Sequence, residues 1–90
     1  MSDQSDINNP SKFTDDHIMI CITVLNYQSI RYTISDHYKV LEELIKRLEI
    51  GKMQEHKLDI IRELSIYSKR NIGEPLNRLV TDVLKIIKNG

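Results

Sequence analysis

Apolar residues gather in four stretches of this chain, and the spacing inside each stretch predicts its secondary structure. The first, residues 18–25 (Ile-Met-Ile-Cys-Ile-Thr-Val-Leu), is apolar on both sides of a two-residue repeat. Ile18, Ile20, Ile22 and Val24 point one way; Met19, Cys21, Thr23 and Leu25 point the other. The β-branched residues favour a strand, because they pack well on a pleated surface and lose side-chain freedom in a helix. Asn26-Tyr27-Gln28-Ser29 has the length of a hairpin turn. Ile30 to Ser35 then alternates, with Ile30, Tyr32 and Ile34 facing a core and Arg31, Thr33 and Ser35 facing water.

The other three stretches follow a helical period. Ser35 or Asp36 caps a helix that starts near His37 and ends at Ile50, with Gly51 just beyond its C-terminus. Its stripe is Leu41, Leu44, Ile45 and Leu48, with Val40 at the margin, while Glu42, Glu43, Lys46 and Arg47 form the wet face. Glu42–Lys46 and Glu43–Arg47 are pairs one helical turn apart in the favourable order. A second helix runs from Lys52 to Lys69 on Met53, Ile60, Ile61, Leu64 and Tyr67, and leaves Leu58 and Ile66 off that line. A third starts at Glu74-Pro75, where proline suits the first turn. It carries the stripe Leu76, Leu79, Val80, Val83, Leu84 and Ile87, with Ile86 outside it.

The expected fold class is therefore α+β, an N-terminal β-hairpin packed on three α-helices, since a two-stranded sheet is marginal alone and needs helices on one face. The alternative is an all-α bundle in which residues 16–34 are helical. Residues 1–14 read as a disordered acidic tail ahead of a single domain spanning 15–90, because they offer only Ile7 and Phe13 as anchors.

Charge and chemistry narrow the function. The 13 basic and 13 acidic residues cancel, which gives no bulk attraction to nucleic acid or an anionic membrane. Residues 1–16 carry a net −3 (Asp3, Asp6, Asp15 and Asp16 against Lys12), so the remainder is +3. The longest unbroken apolar run, Ile18–Ile22, is too short to cross a bilayer. A single cysteine, Cys21, excludes an internal disulfide and fits a reducing, cytoplasmic setting. His17, His37 and His56 are not spaced one helical turn apart, so they form no local metal pair. Cys21 sits among isoleucines, where a thiol behaves as a small hydrophobe. The three glycines are isolated and cannot cradle a phosphate. No cofactor and no small-molecule ligand is indicated, and an enzyme is the least supported class.

The expected function is that of a small, non-enzymatic regulatory or protein–protein interaction module that self-associates through the hairpin. Its partner is another protein or a second copy of itself. The apolar residues left over carry the expectation: Met19, Cys21 and Leu25 on the second strand face, Leu58 and Ile66 on the second helix, and Ile86 on the third.

A different function follows from the order strand, helix, glycine turn, helix over residues 30–70, which resembles a ribbon-helix-helix repressor. The resemblance implies a strand paired with its dimer mate. Arg31, Thr33 and Ser35 would read the DNA major groove, and the backbone at Lys52 and Met53 would hold a phosphate at a helix N-terminus. A preceding strand competing for the pairing edge, and a near-neutral charge, place this reading second.

Overall fold

The computed structural model describes residues 9–27, 32–70 and 73–89, which form four α-helices and no strand. We number them α1 (Asp15–Tyr27), α2 (Ile34–Glu49), α3 (Lys57–Ser68) and α4 (Leu76–Asn89). Single 3-10 turns at Pro10–Lys12 and Gln54–His56 precede α1 and α3. The architecture is an all-helical bundle, which corrects the α+β expectation.

The correction lies in residues 15–27, which form a helix in place of the first strand of a hairpin. Ile18, Cys21, Ile22 and Leu25 stand at i, i+3, i+4 and i+7, and all four are buried on one side of α1. The helix satisfies its backbone groups internally, whereas a two-stranded hairpin would leave an open edge and one apolar face uncovered. Thr14 starts it: its hydroxyl accepts from the His17 amide, and Asp15 and Asp16 lie in the first turn, at the positive end of the helix dipole. Asn26 and Tyr27, expected in the hairpin turn, are the last helical residues. Gln28 to Arg31 lie outside the described residues, as do 1–8 of the expected tail.

The second expected strand is also absent over its described part. Thr33 caps α2 with a reciprocal pair, accepting from the Asp36 amide while its own N–H donates to the Asp36 carboxylate. Ile34 and Ser35 are already helical. The C-terminal end of α2 falls where expected. The Gly51 amide donates to Leu48 O at 3.1 Å and the Lys52 amide to Arg47 O at 2.8 Å, with Gly51 at φ +86°. This closing pattern needs a left-handed residue, which glycine adopts without steric cost.

The stripes of α2, α3 and α4 meet α1's inner side in one core. Val40, Leu41, Leu44 and Leu48 come from α2, Ile60, Leu64 and Tyr67 from α3, and Leu76, Val80, Val83 and Ile87 from α4. Met53 joins them from the turn before α3, held at φ +63°. Helix directions follow from named contacts. Arg47, late in α2, meets Asp15 at the start of α1, so these two run antiparallel. His56, just before α3, lies beside Asp16, and Asn26 near the end of α1 bonds Glu63 of α3, so α1 and α3 run parallel. α2 packs most extensively on α4.

Candidate interaction face

Three buried polar groups fix how the elements meet. Arg47, expected on the wet face of α2, is buried and clasps the segment ahead of α1. Its Nε donates to Glu43 at 2.8 Å, one guanidinium nitrogen donates to Asp15 at 2.8 Å, and the other reaches the carbonyl oxygens of Pro10, Ser11 and Phe13. Five donors in a planar fork suit such a carbonyl-rich niche. His37 Nδ1 and the Tyr67 hydroxyl lie 2.6 Å apart inside the bundle, and burial pushes the Tyr67 phenol up to about 12. Asn26, fully buried, donates from Nδ2 to the Glu63 carbonyl at 2.9 Å and to the Glu63 carboxylate at 2.7 Å. Its Oδ1 is buried and has no hydrogen-bond partner among the described residues.

The α1–α3 contact that Asn26 secures leaves a groove of about 300 Å³ on the outside of the bundle. Met19, Ile20, Thr23 and Val24 line it from α1, and Asp59, Arg62 and Glu63 from α3. Ile20 is 59% exposed and Tyr27, two turns further along the same side of α1, is 70% exposed. On α3, Leu58 and Ile66 flank Arg62 by one turn on either side and are 81% and 40% exposed. The face therefore carries apolar side chains from two parallel helices, with charged residues along its rim.

The expected partner-binding residues divide between this face and the core. Leu58 and Ile66 stand on it, and Met19 is half-buried in the groove wall. Cys21 and Leu25 are covered by the chain's own helices, and Ile86 packs partly against the core from α4. Ile20, Val24 and Tyr27, the outward strip of α1, are what the two-residue repeat concealed. A signal for them was present. The spacing of Ile18, Cys21, Ile22 and Leu25 together with the Thr14-Asp15-Asp16 start would have oriented α1 and turned these three outward.

The expected DNA-reading set does not come together. Arg31 lies outside the described residues, Thr33 is a helix cap, and Ser35 lies exposed in the first turn of α2. The Lys52 amide is bonded to Arg47 O. Without a strand at Tyr32–Ser35, the ribbon that carried the repressor resemblance is missing. Among the described residues, no group of three or more His, Cys, Asp or Glu side chains could hold a metal ion, and no helix is long and apolar enough to cross a membrane. No protein-family model, curated protein or solved structure matches this chain.

Proposed function

We propose that the protein is a small, non-enzymatic interaction module that docks another protein surface on its α1–α3 face. One observation carries the reading: after α1 has buried a complete stripe in the core, it still presents Ile20 and Tyr27 exposed, with half-buried Val24 between them, beside Leu58 and Ile66 of α3. Scattered exposed apolar residues are ordinary on any protein, but a cluster from two adjacent helices around a groove marks a surface that gains by being covered. Tyrosine and isoleucine supply large contact area with few torsions to freeze, which favours binding.

Hydroxyl-radical footprinting tests the reading. Modification at Ile20 and Tyr27 is measured on dilute purified chain, on concentrated purified chain, and in extract of the cells that make it. Protection of both residues in either the concentrated sample or the extract is the expected result. Full modification in all three samples overturns it.

A further inference from the structure

Building on the interaction-module reading, the geometry points to a second copy of this chain as the occupant of the α1–α3 face, docked across a two-fold axis with its α1 antiparallel to the first. The argument is the order of charge along the groove. Because α1 and α3 run parallel, both N-termini lie at one end, where Asp16, Glu55 and Asp59 are exposed. At the far end Lys69, which caps the C-terminus of α3, and Arg70 just beyond it are exposed. Midway, Arg62 donates to Asp59 at 2.9 Å and Glu63 accepts from Asn26. At the acidic end, His56 Nε2 is 3.2 Å from Asp16, a close approach without hydrogen-bond alignment.

A rim of one sign would select a partner of the other sign. A rim that runs from acidic to basic fits its own reverse. A two-fold axis through the middle of the groove sets Asp16, Glu55 and Asp59 of each copy against Lys69 and Arg70 of the other, so the match is made twice. It also sets each α1 antiparallel to its mate, the favourable arrangement of helix dipoles, whereas α1 and α3 within one copy are parallel. The same charges already complement their own helix termini and need no partner for that. The strip of Ile20, Val24 and Tyr27 between them is what the second copy covers.

Sedimentation equilibrium of the full chain from low to high micromolar concentration reads the outcome. The native chain dimerises, and Ile20→Asp leaves a monomer with unchanged far-ultraviolet circular dichroism. A chain carrying Asp16→Lys and Asp59→Lys, and a second carrying Lys69→Glu and Arg70→Glu, each self-associate about tenfold more weakly than the native chain. Mixed together, these two form a heterodimer that restores the native strength. A native chain that stays monomeric overturns the proposal. So does an Ile20→Asp chain that dimerises as well as the native one, or a mixture no tighter than either charge variant alone. If the purified chain is monomeric while Ile20 and Tyr27 are protected in extract, the second copy is excluded and the interaction-module reading stands. If that protection is missing as well, both fail.

Discussion

Helices α1 and α4 bury their apolar residues in the same core, yet their sequences differ in kind. In α4, all apolar residues but Ile86 fall on one side, and polar Asn77, Arg78, Thr81, Lys85 and Lys88 take the other. That pattern specifies both the element and its orientation, because only one rotation about the axis hides the stripe. In α1, eight consecutive residues, 18–25, contain a single polar side chain, the Thr23 hydroxyl, and that hydroxyl bonds back to Met19 O. Several rotations would bury apolar surface, and a strand would too. The choice falls to what the neighbours offer, and whatever they leave uncovered becomes a binding face. An amphipathic helix spends its apolar residues on folding alone, whereas one that is apolar all round has some to spare.

The largest expected effect probes α1's inner side. Leu25→Ala destabilises the fold by about 3 kcal/mol in urea unfolding, through lost burial and the cavity left behind. Val83→Ala on α4 costs about 2 kcal/mol for a smaller deletion in the same core. If Leu25→Ala were neutral, α1 would not be the core helix described and the contrast with α4 would collapse.

Arg47→Met comes next, at about 2 kcal/mol. The change strands Glu43 and the Phe13 carbonyl oxygen without their donor, while Pro10 O keeps the Phe13 amide and the partial exposure of Asp15 moderates the loss. Hydrogen exchange should show faster protection loss at the Phe13 and Ile18 amides than in α4, since the clasp ties only the approach to α1.

Alkaline pH separates the α2–α3 contact from both. The Tyr67 phenol keeps its proton in the folded chain up to pH about 12, while in the unfolded chain it ionises near its ordinary value of 10. The unfolded state thus loses the proton first. The contribution is fully present below pH 10 and lost as pH rises to 12, an effect of about 3 kcal/mol. Tyr67→Phe should flatten this slope in urea titrations across that range, at a cost near neutral pH of about 1 kcal/mol for the lost contact with His37.

The smallest effect falls on the outer side of α1. Ile20→Ser should change stability by less than about 0.5 kcal/mol at low protein concentration, because the side chain is mostly solvated in one copy. A cost comparable to Leu25→Ala would mean that the outer strip is part of the core.

Much of the molecule was legible. Gly51 marked the end of α2, the Glu43–Arg47 pair was named from its spacing, and the stripes of α2 and α4 supplied the residues that are buried. Leu58 and Ile66 were recognised as lying off the core line of α3, and both are exposed. In α1 the local pattern misleads, because β-branched residues weigh toward strand, and an apolar run satisfies a two-residue and a 3.6-residue period at once. Arg47 was assigned to water on its charge. Its burial is tolerable because Asp15 and carbonyl oxygens from a segment more than thirty positions away in sequence join Glu43 in accepting from it.

Sequence alone determined that three helices follow residue 33, where α2 ends and which apolar stripes α2 and α4 bury, because glycine geometry and helical periodicity act within a few residues; the expected starts of α2 near His37 and of α3 at Lys52 move to Ile34 and Lys57. Tertiary structure decided that residues 15–27 are a helix, that Arg47 and Asn26 are interior, and that Ile20, Val24 and Tyr27 face outward. Each of those outcomes depends on partners distant in the chain: Glu63 for Asn26, Asp15 and the Pro10–Phe13 carbonyls for Arg47, and the packed stripes of three other helices for α1. A local pattern cannot contain them, since the free energy that selects them arises only when the elements meet.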